Sequence, residues 1–159
     1  MQVIYHDSMS AESKLASLGI TLPDPPKPVA AYVPWTRTGN LIFTAGQIPF
    51  ANGQLLYKGS VPKDVTIEQG VQCARQCALN ALSIIRGAVG SLDKVKRIVR
   101  LGVFVASPAD FYDHPKVANG ASELMVELFG DAGRHARAAV GAPALPLGAP
   151  VEVEVLAEV

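Results

Sequence analysis

The sequence predicts one α+β domain: a five- or six-stranded mixed sheet carrying two helices on one face. Three observations predict it. The chain has 159 residues, a length for one domain at roughly 150 residues each, and it can bury about 70% of its unfolded surface. Hydrophobic residues make up 49% and mean hydropathy is +0.24, which excludes disorder for the bulk of the chain. Segments of strand and helix character follow one another in the order β-β-(β)-α-β-α-β-β, with no internal repeat. Two helices leave one sheet face bare. Only 18% of residues are charged, against roughly 25% in soluble domains. Together these predict a homo-oligomer that packs bare sheet faces together.

Residues 1–8 read as detachable, with Met9-Ser10 an alternative start. An N-terminal extension, 1–20, carries a short helix capped by Ser10, running through Leu18 and ended by Gly19; a single domain fills 21–159. The proline-rich stretch 21–30, TLPDPPKPVA, reads as an extended surface arm. From Tyr32 to Gly46 two strands flank Gly39-Asn40, a pair suited to a tight hairpin. A loop with Gly53 and Gly59 follows, with Leu55-Leu56-Tyr57 as a short strand inside it.

Thr66 opens the strongest helix, with Gln69 completing a capping box. Val71, Ala74, Ala78, Leu82 and Ile85 recur at helical spacing, and Gly90 stops the run. Residues 94–106 form the next strand, with Val95, Val99, Leu101, Val103 and Val105 on one face and Lys96, Ile98, Arg100, Phe104 and Ala106 on the other. A second helix spans 115–129, ended by Gly130. The strands RHARAAVG and PVEVEVLAE close the chain.

Lys plus Arg is 14 and Asp plus Glu is 14, a net charge of zero that argues against a dedicated nucleic-acid binder. Cys73 and Cys77 are too few for a disulfide scaffold; four residues apart on a helix, they read as small buried thiols. His6, His114 and His135 fall in no metal-binding spacing, so no metal is expected. No uninterrupted apolar run approaches the ~18 residues of a membrane span, and the N-terminus lacks the basic-then-apolar pattern of a signal peptide. The expected location is the cytoplasm.

Four segments, AYVPWTRTGNLIFTAGQIP, ALNALSIIRGAVGSLDKVKRIVRLGVFVAS, VANGASELMVELFG and RHARAAVGAPALPLGAPVEVEV, together resemble the RidA family, also called YjgF-like or, in older labels, endoribonuclease L-PSP. They run in the family's order from about residue 31 to the end. The resemblance implies a chorismate-mutase-like α+β fold. It also implies a homotrimer with sheets around a central barrel and ligand sites in clefts between subunits.

Arg137 stands on a strand beside Arg134 and His135, where an arginine is most often a solvated charge. Its small neighbours Ala138, Ala139 and Val140 suit a recessed position, and a recessed guanidinium needs an anion. The resemblance places Arg137 on the family's carboxylate-binding arginine, with Ala139 beside it in the ligand site. Glu152 and Glu154 share a strand face about 6.8 Å apart, which by itself reads as a polar outer face. The resemblance puts Glu152 in the cleft near a water that it can orient or deprotonate. Tyr32 falls on an aromatic that lies over the ligand from the neighbouring subunit; ordinary sheet packing is its other reading. Asn119 matches a polar residue near the cleft, or serves only the helix surface. Gly46 admits close approach of backbone to ligand, or marks a strand-end bulge. Trp35 and the two cysteines are assigned to packing. Relatives often carry serine where this chain has Ala45 and Ala138; fewer hydroxyls mean fewer hydrogen bonds to a polar ligand, which leaves room for a larger or more apolar substrate.

The activity implied is that of an enamine/imine deaminase, hydrolysing 2-imino acids of the 2-aminoacrylate type to 2-keto acids and ammonia. Arg137 holds the carboxylate, Glu152 serves the water, and no cofactor is needed because the imine is already electrophilic. Two alternatives remain: hydrolysis of another small carboxylate such as an aminomuconate-like intermediate, and a trimer that binds carboxylate metabolites without turnover. RNA cleavage is disfavoured by the zero net charge and 6% aromatic content.

Overall fold

Strand–turn chemistry places the first hairpin where the sequence expects it. The computed structural model describes residues 9–27 and 31–159; the reading of residues 1–8 as detachable lies outside them. After a short helix α1 (Ala11–Ser17), strands β1 (Trp35–Thr38) and β2 (Leu41–Thr44) pair antiparallel around Gly39, whose φ of +54° suits a residue without Cβ. A small hairpin, β3 (Phe50–Ala51) with β4 (Gln54–Leu55), forms its own two-stranded sheet. The strand expected at Leu55–Tyr57 is thus shorter and earlier, and it does not join the main sheet.

Helix α2 (Ile67–Val89) begins with both halves of the Thr66/Gln69 capping box and ends at Gly90, φ +90°. Strand β5 (Arg97–Ala106), helix α3 (His114–Phe129), strand β6 (Ala136–Ala142) and strand β7 (Val151–Glu158) complete the fold. The main sheet has the order β1-β2-β7-β5-β6. Only the β5–β6 pair is parallel, joined through α3, so the sheet is mixed as predicted. The architecture is the mixed-sheet α+β class that the sequence predicts.

Helices α2 and α3 cover one face. Beneath them Val151, Val153, Val155 and Ala157 alternate inward along β7. The helices meet at Gly120, where a Cβ would fall on the Val71 carbonyl oxygen. One alternation departs from the sequence reading. The β5–β7 register passes from Ile98↔Ala157 directly to Arg100↔Leu156, so Val99 is a bulge. The bulge shifts the phase and brings Ile98 into the core with Leu101, Val103 and Val105, although simple parity put Ile98 on the opposite face. The other sheet face carries Phe43, Phe104, Val140 and Leu156 among Arg100, Glu152 and Glu154, with no helix over it.

Candidate functional site

Beyond β2 the chain does not turn away at once. Gln47 exchanges both backbone hydrogen bonds with Val153, at 2.8 and 2.9 Å, so residues 45–47 run beside β7. The Gln47 side-chain amide donates back to the carbonyls of Ala45 and Gly46, each at 3.1 Å, and fixes this strip. Across it lies Glu152, and a Cβ on Gly46 would collide with the Glu152 carboxylate. Gly46 therefore has a steric role: it gives the carboxylate a seat.

Glu152 and Gly46 line a cavity of about 550 Å³ together with Tyr32, Ala45, Ile48 and Phe50. Burial first, and the Glu154 charge second, push the Glu152 carboxyl above the usual carboxylate range. Glu154 itself pairs with Arg100 at 3.3 Å, whereas Glu152 makes no ion pair among the described residues. Asn80, a buried polar residue of α2 overlooked in the sequence, shapes the opposite wall. Its side-chain amide donates to the Ile48 and Phe50 carbonyls at 3.0 and 3.1 Å, and its oxygen accepts from Gln76 at 2.9 Å. A buried asparagine with both ends satisfied holds a loop in one place.

Arg137, Asn119 and Ala139 lie elsewhere. Residues directly opposite in a ladder share a face. Phe104 is opposite both Glu152 and Val140, whereas Leu101 and Val103 of the core are opposite Arg137 and Ala139. Within one chain, Arg137 and Glu152 therefore project from opposite faces of the sheet. Arg137 stands at the edge strand β6 and reaches α3, donating from Nη1 to Asn119 Oδ1 (2.9 Å) and to Ser122 Oγ (3.0 Å). Neither bond uses Nε or Nη2, the prongs that suit a bidentate carboxylate.

Two further residues support this arginine. His135 Nδ1 lies 2.7 Å from the Gly133 carbonyl, so that nitrogen carries the proton and Nε2, 2.9 Å from Ser122 Oγ, accepts from the hydroxyl. Burial, reinforced by the Arg137 charge, lowers the His135 pKa against the opposing pull of the Gly133 carbonyl, which favours the neutral ring. Ser122 then donates to His135 and accepts from Arg137. No local sequence signal marks this chain of contacts, because it joins a helix to a strand.

Cys73 and Cys77 are buried, and burial raises the Cys73 thiol to about 12 and the Cys77 thiol well above its ordinary value. Both are packing groups, as expected, and neither is a thiolate nucleophile at neutral pH. Among the described residues no cluster of side chains suits a metal ion, and no helix is long and apolar enough to cross a membrane.

The chain is similar to protein TCP17 of Trypanosoma cruzi, with 42% identity over 147 residues and 92% of each chain covered. Its fold matches the crystal structure of Atu1372, a protein of unknown function from Agrobacterium tumefaciens, at a TM-score of 0.87 and 41% identity, covering 94% of this chain and 92% of that one. It also matches E. coli TdcF, crystallised with bound serine, at a TM-score of 0.62 and 26% identity over 87% of this chain and 95% of that one. Residues 12–159 match the family described as "YjgF/chorismate_mutase-like, putative endoribonuclease", and the chain belongs to that family.

Proposed function

We propose that the protein is an imine deaminase whose active site forms between copies of the chain in a homotrimer. One observation carries the reading: Glu152 is a half-buried carboxylate seated on Gly46 in a cavity, without an ion-pair partner among the described residues. Burial raises its pKa toward neutrality, the property wanted in a group that takes and returns a proton. The cavity of one chain lacks a guanidinium, and Arg137 presents one at the sheet edge. A second copy set against the bare face supplies Arg137, Asn119 and Ala139 to the cavity holding Tyr32, Gly46 and Glu152.

In this site Arg137 binds the carboxylate of a 2-imino acid in bidentate geometry. Glu152 takes a proton from water as the water oxygen bonds to the imine carbon. Glu152 returns that proton to the imine nitrogen, the carbinolamine hydroxyl gives up the second water proton to the same nitrogen as the carbonyl forms, and the carbon–nitrogen bond breaks to release ammonia and a 2-keto acid. The enzyme needs only to hold two reactants in register. The serine bound to TdcF carries a carboxylate and a nitrogen on one carbon, as a 2-imino acid does.

RNA cleavage fits the cavity less well. Among the described residues it is lined by one cation, Lys27, and two carboxylates, Asp24 and Glu152, an unfavourable surface for phosphate. The test is ammonia release from imino acids generated in place by an amino-acid oxidase. Wild type is expected to accelerate hydrolysis, with Arg137→Ala and Glu152→Gln inactive but folded. Undiminished rates in both variants would overturn the mechanism, and salt-dependent RNA binding would favour the other activity.

A further inference from the structure

We propose that the N-terminal segment 20–27 is a fixed wall of the cavity that makes the site select imino acids with bulky apolar side chains. The proposal rests on the deaminase reading and concerns which substrate that site prefers. The chain leading into the segment is anchored first. Glu12 forms a forked pair with Arg86, at 2.6 and 3.1 Å, and accepts from the Leu92 backbone N–H at 2.8 Å. The Glu12 N–H in turn donates to Asp93, 3.0 Å away. Leu15 and Leu22 are buried in the main core. Ser83 Oγ donates to the Pro23 carbonyl, and Pro25 rests on α2 where Gly87 offers no side chain.

Ser83 lies one helical turn beyond Asn80, so the segment crosses α2 beside the cavity wall that Asn80 already fixes. Pro23, Asp24, Pro26 and Lys27 then line the cavity directly. Proline restricts the backbone, so this wall loses little entropy when it meets a ligand.

The chemistry of the wall decides the substrate class. Pro23 and Pro26 join Pro34, Ile48, Phe50 and Leu147, all apolar. Asp24 and Lys27 carry opposite charges, so the wall offers no net attraction to a second acid group. A three-carbon imino acid has only a methyl group to set against the apolar lining, whereas a leucine- or phenylalanine-derived one covers it. One methylene in such a pocket is worth roughly tenfold or more in discrimination.

The experiment compares kcat/KM for imino acids generated from alanine, leucine, phenylalanine and glutamate, in wild type and Gly87→Leu. Gly87 is an exposed helix position touching Pro25, at 3.3 Å from a Cβ placed there, so leucine suits the helix but displaces the segment. Wild type is expected to favour leucine- and phenylalanine-derived imines at least tenfold. Gly87→Leu should shrink that ratio at least threefold, with melting temperature and the alanine-derived rate unchanged. Preference for the alanine- or glutamate-derived imine, or an unchanged ratio in Gly87→Leu, would overturn the wall while leaving the deaminase reading intact. Turnover of no imine would instead remove the deaminase reading. Calorimetric binding of 4-methyl-2-oxopentanoate against pyruvate then decides the wall alone: tighter binding of the larger acid, lost in Gly87→Leu, supports it, and equal binding refutes it.

Discussion

At the Glu152 carboxyl, burial and the neighbouring Glu154 charge act in the same direction, both favouring the protonated form. In the proposed mechanism Glu152 must be ionised to act as base, so the acid limb of kcat/KM is expected above the ordinary carboxylate value. Glu154→Gln removes the smaller cause and should move that limb to lower pH, readable in a pH–rate profile. The same shift has a stability sign. A carboxyl whose folded pKa is raised stabilises the fold below its unfolded pKa, and that contribution is lost as pH rises through the folded pKa. Glu152→Gln should therefore lose about 10²- to 10⁴-fold in rate while melting no lower than wild type at pH 8. Gly46→Ala should lose activity comparably, because its methyl occupies the seat of the carboxylate. On the other half of the site, Ser122→Ala cuts the link between His135 and Arg137. A severalfold rise in KM with kcat little changed is the expected outcome; Ser122→Thr, which keeps the hydroxyl, should restore it.

Helix α2 shows which parts of an element can be read locally. Its capping box, its apolar stripe and its terminal glycine are all short-range signals, and all three stand where the sequence puts them. Thr66→Ala should cost about 1 kcal/mol, a fall of roughly 2–4 °C in Tm measurable by scanning calorimetry. The bulge at Val99 was not legible, because the residue that fails to pair is chosen by the partner strand β7. Segment 20–27 reads correctly as proline-rich and extended, but its seat on Ser83 and Gly87 depends on residues about 60 positions later. The Glu12–Arg86 clamp belongs to the same class of long-range contact. The Arg86 hydrogen bond leads in holding Glu12 below the usual carboxylate range, so its contribution is present above the unfolded pKa and lost as pH falls through the folded one. Limited proteolysis should cut segment 18–27 faster in Glu12→Gln than in wild type at pH 7, and faster in wild type as pH falls through the folded pKa of Glu12.

For the whole molecule, the fold class was legible because strand and helix signals are local and the count of helices bounds what can be covered. The candidate site was proposed from the sequence only through the resemblance. Arg137 and Glu152 were identified by the resemblance, since an arginine in HARAAV and a glutamate in VEVEV read most simply as surface charges. What no linear reading supplies is that they leave opposite faces of one sheet. In the proposed deaminase that geometry makes the oligomer a requirement of the chemistry, because each proposed site takes Glu152 from one copy and Arg137 from another.

Subunit complementation tests this claim most directly. Arg137→Ala and Glu152→Gln chains, each inactive alone, are mixed in equal amounts under denaturant and refolded, and imine hydrolysis is measured. Random assembly pairs an intact Glu152 with an intact Arg137 at roughly one site in four of a closed ring, so about a quarter of wild-type activity should return. Refolded mixed oligomers that remain inactive would contradict the shared site.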